Sequence, residues 1–251
     1  MLKRTLLALL AVVVALAAMI GVEIVLALRR EYLPTEPVLD VSGEFGAPGD
    51  PELHFVVLGD STSAGVGVEE AEDAYPWTLA ERLAAEGHRV TLQTFGISGA
   101  RIAGVLESQV PKAVAADPDL IFVGIGANDV VHLTPLDDVR RDFAAVLDAL
   151  GETDAELVIA GAPDMRALAW QEPLRSLSGW RGRVLTSAME EVAKERGVTV
   201  VPLAKITGPF FASDGDDAYS ADLFHPGTRG YMHWADAIFP YLRDAVGTQT
   251  P

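Results

Sequence analysis

The chain has 251 residues, and its 19 Lys and Arg against 36 Asp and Glu give a formal net charge of −17. This acidity argues against a nucleic-acid partner, because phosphate binding requires a basic surface. The 49% of hydrophobic residues excludes a disordered chain, and the absence of cysteine excludes disulfides, thiolate nucleophiles and cysteine-ligated metals. The charge is unevenly distributed, since residues 1–30 sum to +3 and the rest of the chain carries −20.

An apolar run predicts that residues 1–30 form a membrane anchor. Residues 6–28 include a single charged residue, and as a helix they would extend about 35 Å, enough for a hydrocarbon core of about 30 Å. A cleaved signal peptide is the alternative, because Lys3 and Arg4 precede the run and residues 15–17 offer an A-x-A cleavage site. The run continues well past that site, which favours an uncleaved anchor. The flanking charges balance and do not set the orientation.

Residues 31–52 are predicted to be a linker, since they contain Pro34, Pro37, Pro48 and several glycines. About twenty flexible residues reach roughly 25 Å, so the body is expected to stay close to the bilayer. Residues 53–251 then form the soluble domain. We expect this domain at the cell membrane on the extracytoplasmic side, or secreted if the leader is cleaved.

Within the body, predicted strands and helices alternate. Short apolar runs predict five strands, at residues 54–58, 90–95, 120–125, 156–160 and 198–201. Helical spacing ended by glycine or proline predicts helices at residues 76–86, 102–110, 136–150, 181–196 and from 226 to about 246. This alternation is typical of a parallel sheet with helices on both faces. Such sheets bind ligands beyond the carboxyl ends of their strands, so the loops there are the candidate site.

Segments that contain groups suited to catalysis follow four of the five predicted strands. They are Gly59–Ser63, Gly96–Gly99, Gly126–Asp129 and Asp222–Pro226. Together these loops supply a hydroxyl, glycine amides, a carboxamide, a carboxylate and an imidazole, which are the groups that nucleophilic acyl transfer requires. Each loop alone has an ordinary interpretation as a tight turn or a helix cap. Four of them at one sheet edge favour a shared function.

These loops resemble the motifs of the SGNH (GDSL) hydrolases. The similarity covers about residues 53–246 and rests on GDSTSAG at Gly59–Gly65, ISG at Ile97–Gly99, GAND at Gly126–Asp129 and DLFHP at Asp222–Pro226. It implies ester hydrolysis and an α/β fold, a flavodoxin-like three-layer α/β/α sandwich with a five-stranded parallel sheet, here preceded by one N-terminal transmembrane helix. The second motif departs from the family pattern, because Thr94 stands where an asparagine usually precedes the glycine. That departure leaves Gly96 as an alternative to Gly99.

The resemblance also implies roles for individual residues. Ser61 is the expected nucleophile, His225 the base and Asp222 its partner. The Ser61 amide, the Gly99 amide and the Asn128 side chain are the expected oxyanion donors. Asp222 and His225 are three residues apart, a tether short enough to place the carboxylate under the imidazole. Asn128 can donate a hydrogen bond without changing charge.

Several further residues are candidate substrate contacts. Residues 163–180 carry many large apolar side chains, which predicts the wall of an acyl or alcohol pocket that includes Trp170, Leu174 and Trp180. A satellite hydrophobic core is the alternative. His132 lies six residues beyond Gly126 and is a further candidate.

The sequence therefore predicts a membrane-anchored serine esterase that acts through an acyl-enzyme. No metal-ligand motif or nucleotide-binding loop occurs, so no cofactor and no metal are expected. The substrate would be a lipid ester, a small acyl ester or an O-acetylated glycan. An acyltransferase with the same triad and a binding or scaffold protein with a relict site are the alternatives. The sequence does not indicate whether the chain has a protein partner.

Overall fold

A six-stranded sheet forms the centre of residues 2–213 and 215–247, the part of the chain that this computed structural model describes. The strands are β1 (Gly43–Phe45), β2 (Glu52–Gly59), β3 (Arg89–Thr94), β4 (Leu120–Gly124), β5 (Glu156–Ala160) and β6 (Thr199–Val201). They lie in the order β1-β3-β2-β4-β5-β6, and all except β1 run parallel. The predicted parallel α/β sheet is confirmed.

Helices cover both faces of this sheet. They are α2 (Tyr75–Ala85), α3 (Ile102–Gly104), α4 (Val110–Ala115), α5 (Ala127–Val131), α6 (Leu136–Leu150), α7 (Leu174–Glu195), α8 (Leu203–Ser213) and α9 (Thr228–Gly247), and the N-terminal helix α1 (Leu2–Arg29) precedes them. One buried apolar cluster joins α6 and α7 to the sheet, and a second joins α2 and α9 to the opposite face. The chain is therefore a three-layer sandwich.

Alternation along β2 explains how one strand serves both clusters. Val56 and Leu58 pack in the cluster under α6 and α7, whereas Phe55 and Val57 pack in the cluster under α2 and α9. Successive side chains of a strand point to opposite faces, so a central strand with both faces covered is apolar throughout. The register pairs Gly59 with the last residue of β4, and the two strands therefore end side by side.

The segment predicted as a linker contributes to the sheet. Gly43–Phe45 forms β1, which pairs antiparallel with β3 at the edge, and Val41 just before it is fully buried. The sheet therefore has one strand more than the five predicted. Antiparallel edge strands on parallel sheets are common because they need no crossover helix.

Two helices differ from the predicted bounds. The helix expected to end at Pro111 continues through a π-helical turn at Val105–Gln109 into α4. The π-helical turn lies directly before Pro111, and such an irregularity lets a helix pass a proline, which cannot donate the regular backbone bond. α7 begins at Leu174, seven residues before the predicted start, so the last seven residues of the expected loop at 163–180 are helical.

The N-terminal helix α1 stands apart from the sheet. Its residues 3–29 are long and apolar enough to cross a membrane, with a mean hydropathy of 2.8, a test that a signal sequence also passes. Its side chains are exposed along most of its length, although Ala27 packs against the cluster under α6 and α7.

Candidate active site

The turn after β2 presents Ser61 at the carboxyl edge of the sheet. A Cβ on Gly59 would collide with the Ser63 side chain and with the carbonyl of Gly124 on β4, so the strand end requires glycine. The amide of Val66 donates to the carbonyl of Ser61 (2.9 Å) and closes the turn. The sequence thus fixes the hydroxyl at the point where β2 and β4 end together.

A chain of hydrogen bonds links Ser61 to two residues just before α9. The Oγ of Ser61 lies 3.0 Å from Nε2 of His225, and Nδ1 of His225 lies 2.6 Å from Oδ2 of Asp222. All three residues are buried, with 9% of Ser61, 7% of His225 and 4% of Asp222 exposed. An imidazole held by a carboxylate on one nitrogen can accept the serine proton on the other. The structure therefore brings the three predicted triad residues together.

The carboxylate of Asp222 accepts hydrogen bonds on both oxygens. Oδ1 accepts from the backbone amides of Phe224 and His225 and from Oγ of Ser220, each at 2.9 Å. Oδ2 accepts from the His225 ring and from the backbone amide of Leu33 (3.2 Å). Burial alone would raise the pKa of Asp222, but the bonds from His225 and Phe224 outweigh it and hold that pKa well below its usual range. Asp222 is therefore ionised wherever the imidazole works.

The predicted oxyanion donors lie on two neighbouring loops. Asn128 is the second residue of α5, and its Nδ2 donates to the carbonyl of Ala100 (3.0 Å), which leaves its other amide hydrogen available. A Cβ on Gly99 would meet no atom within 4 Å, so the backbone there is open. A Cβ on Gly96 would lie 2.7 Å from Cβ of Ser63, so this glycine is needed for packing. Packing therefore accounts for Gly96, and the role of the Gly99 amide as an oxyanion donor stays a prediction.

A small cavity opens next to the serine. Its volume is about 50 Å³, and Ser61, Asn128 and His225 supply its polar side. The remaining wall is largely apolar and includes Met165, Ala167, Phe211 and Trp234. Gly99 is not among the described residues that line it.

Trp170 and Leu174 do not line this cavity, contrary to the predicted pocket wall. Trp170 is buried, packs its ring on Phe224 with centroids 5.3 Å apart, and donates from Nε1 to the hydroxyl of Tyr32 (3.2 Å). Leu174 packs against the same cluster at the start of α7. These two residues belong to the main apolar cluster under α6 and α7, and neither the cavity wall nor a separate satellite core.

Trp180 and His132 also lie away from the cavity. Trp180 is on α7 with 56% of its surface exposed, because α7 begins early and turns this residue outward. His132 is exposed at the end of α5, and its Nδ1 lies 2.8 Å from the carbonyl of Asn128. Of the apolar residues in the predicted loop, Pro163, Met165 and Ala167 line the cavity.

Gln109 supports the nucleophile turn, a role that the motifs did not reveal. Its side chain is fully buried, its Oε1 accepts from the amide of Gly59 (2.9 Å), and its Nε2 donates to the carbonyl of Gly59 (2.8 Å). It therefore holds the backbone two residues before Ser61. A signal existed, since Ile102, Val105 and Gln109 share one buried helical face on which a polar side chain requires a partner.

Two further carboxyl groups are buried beside the triad. Burial raises the pKa of Asp60, although its hydrogen bonds from Thr62 partly oppose the shift. Burial also raises the pKa of Asp129, whose Oδ2 accepts from the amide of Ile102 (3.0 Å). Through these hydrogen bonds, Asp60 stabilises the turn after β2, and Asp129 joins α5 to the start of α3. Within residues 2–213 and 215–247, no three His, Asp or Glu side chains are grouped so as to hold a metal ion.

The amino-acid sequence is similar to those of known proteins. Residues 57–233 match the GDSL-like lipase/acylhydrolase family. A GDSL-like esterase of Mycobacterium tuberculosis is 33% identical over 198 residues, which are 78% of this chain and 63% of that protein. The chain thus matches less than two thirds of this relative's length.

Solved structures share the fold at lower identity. A lipase/acylhydrolase from Enterococcus faecalis superposes with a TM-score of 0.65 at 21% identity, over 79% of this chain and 98% of its own. A family 3 carbohydrate esterase from Clostridium thermocellum gives 0.64 at 18% identity, over 80% of this chain and 100% of its own.

Proposed function

The chain belongs to the GDSL-like lipase/acylhydrolase family, and on that premise we propose that it is a serine esterase that acts through an acyl-enzyme on Ser61. The observation that carries the proposal is the hydrogen-bond chain from Ser61 through His225 to Asp222. Its geometry matches what a general base and its orienting carboxylate require, with both contacts within hydrogen-bond reach.

In the proposed reaction, Oγ of Ser61 attacks the ester carbonyl carbon while Nε2 of His225 takes the hydroxyl proton. The carbonyl oxygen becomes negative and accepts hydrogen bonds from the Ser61 amide, the Gly99 amide and the free amide hydrogen of Asn128. When the alcohol leaves, His225 returns the proton to it. Water then attacks the acyl-enzyme with His225 again as base, and the acid and Ser61 are released.

The cavity beside Ser61 supports a short acyl group. A cavity that accepts benzene has a volume of about 150 Å³, whereas this one has about 50 Å³. Of the predicted substrates, acetyl and other small acyl esters fit this space, and a long lipid chain does not. A second cavity of about 470 Å³ continues from Pro163 and Asp164 and carries Arg166, Arg183 and Lys205 on its wall. These charged side chains suit a polar alcohol group, such as the sugar of an O-acetylated glycan.

The proposed location is the cell membrane, with α1 as a single-pass anchor and the body on the extracytoplasmic side. The length, apolarity and exposure of α1 support it, because a helix that is apolar on all faces has no partner in water. Secretion after cleavage is the alternative outcome.

A chain-length series tests the proposal. We expect the full chain in detergent to hydrolyse p-nitrophenyl acetate and butyrate well and the octanoate and laurate esters poorly. Ser61→Ala should lower kcat by ~10³-fold or more, whereas Ser98→Ala, a matched change on the neighbouring loop, should keep most activity. Equal activity of Ser61→Ala and wild type would refute the serine mechanism. A rate that rises with chain length would refute the short-acyl preference alone.

A further inference from the structure

Three of the four residues that follow the membrane helix contact the catalytic loop directly. We call residues 30–33 the juxtamembrane strap. Nε of Arg30 donates to the backbone carbonyl of Asp222 (3.2 Å), and the amide of Leu33 donates to Oδ2 of the same residue (3.2 Å). The strap and Asp222 are 189 or more positions apart in sequence, so this contact is a product of the tertiary fold.

Tyr32 fixes the strap against the body. Its hydroxyl accepts from Nε1 of Trp170 (3.2 Å) and donates to the carbonyl of Ala27 in α1 (3.2 Å). Its ring meets Phe224 edge to face, with centroids 5.3 Å apart. Phe224 immediately precedes His225, so the Tyr32 side chain touches both the end of the membrane helix and the catalytic loop.

The strap bond differs from the other bonds that Asp222 accepts. Among the described residues, the remaining donors to the carboxylate come from residues 220–225, and they move with the carboxylate if that loop shifts. The Leu33 amide comes from outside the loop. It also meets Oδ2, the oxygen that faces the imidazole.

Close packing along the whole segment does not account for this contact. Beyond Leu33, a cavity of about 440 Å³ separates residues 33–39 from residues 64–69 of the nucleophile turn. The segment therefore touches the Asp222 loop through residues 30–33, borders this cavity, and meets the nucleophile turn again at Leu39, whose side chain lies beside Gly65.

From these contacts we infer that the juxtamembrane strap is a positioning element of the triad, which holds the Asp222 carboxylate toward His225 and couples the catalytic pair to the membrane helix. This inference rests on the proposed esterase function. Leu33 and Arg30 act through Asp222 and do not touch substrate, so their loss should lower kcat and leave KM nearly unchanged.

Two variants of the full chain, with proline or alanine at position 33, distinguish the role of the Leu33 N–H from that of its side chain. Leu33→Pro removes the N–H and the side chain, whereas Leu33→Ala removes the side chain and keeps the N–H. We expect kcat of Leu33→Pro to be ~10-fold or more below that of Leu33→Ala, because a hydrogen bond to a charged group is lost. The downfield proton NMR signal of the His225–Asp222 bond should weaken or shift in Leu33→Pro.

An arginine pair keeps the test decisive if Leu33→Pro does not fold. Arg30→Met removes the donors but keeps an apolar stem, and Arg29→Met makes the same change at an exposed residue of α1. We expect a lower kcat at constant KM for the first and wild-type kinetics for the second. Equal kcat within both pairs, with wild type active and Ser61→Ala inactive, would overturn the strap inference alone. Inactive wild type would instead overturn the esterase proposal.

Discussion

Replacement of Gln109 by leucine tests how the nucleophile turn is supported. The two side-chain bonds from Gln109 hold both backbone groups of Gly59 at the end of β2. In Gln109→Leu both bonds are lost. The carbonyl of Gly59 retains the amide of Ile97 (3.2 Å) as a donor, but the buried Gly59 amide is left without its partner.

The expected loss of stability follows from these bonds. A buried donor without a partner costs about 1–3 kcal/mol, and one further lost hydrogen bond costs about 1 kcal/mol. The leucine regains part of this through apolar burial, so we expect the free energy of unfolding to fall by about 2–3 kcal/mol. For a domain of this size, that lowers Tm by about 4–12 °C. Because Ser61 is two residues from Gly59, kcat should also fall by ~10-fold or more even where the variant is folded.

The assay combines thermal unfolding by circular dichroism with kcat for a short-chain ester well below the variant's Tm. Glu107→Leu is the control, since it introduces leucine on the exposed side of the same π-helical turn and should change Tm little. A Gln109→Leu protein with the Tm and kcat of this control would show that Gln109 does not support the turn.

Three further predictions concern charge and location. Asp222→Asn should lower kcat by ~10³-fold or more with little change in KM, because it removes control of the imidazole tautomer. Steady-state kinetics with an acetate ester measure this change. A variant with the kcat of wild type would show that Asp222 does not assist His225 as the base. Burial raises the pKa of Asp60 in the folded state, so its ionisation costs stability as pH rises from about 3.9 through that raised pKa. The Tm of Asp60→Asn minus the Tm of wild type should therefore be larger at pH 7 than at pH 4. An equal difference at both pH values would contradict the argument. If α1 is an uncleaved anchor, the full chain should remain in the membrane fraction through a carbonate wash and keep an N-terminus near Met1, whereas a soluble protein that begins at Ala18 would indicate a signal peptide.

The sequence predicted the parts of the site that lie in strand-end loops. Ser61, Asn128 and Asp222 follow apolar runs or precede a helix, and topology alone brings such positions to one edge. The contacts of Gln109 and of the juxtamembrane strap are hydrogen bonds between a side chain and a distant backbone group, which leave no motif. β1 has only three residues, too few for a pattern of alternation to stand out.

The residues that line the cavity differ from the predicted pocket wall for another reason. A buried core and a substrate pocket both require apolar side chains, so composition did not distinguish the packed Trp170 from the cavity-lining Met165.

The shortness of the juxtamembrane strap limits where the enzyme can work. Four residues span at most about 14 Å even when fully extended, so with α1 in a bilayer the Asp222 loop stays within that distance of the end of the helix. The active site then samples a thin layer along the membrane surface rather than the surrounding volume. Turnover should accordingly follow the surface density of esters in that layer, and dilution of the vesicles at constant lipid composition should leave the rate on membrane-bound substrate unchanged.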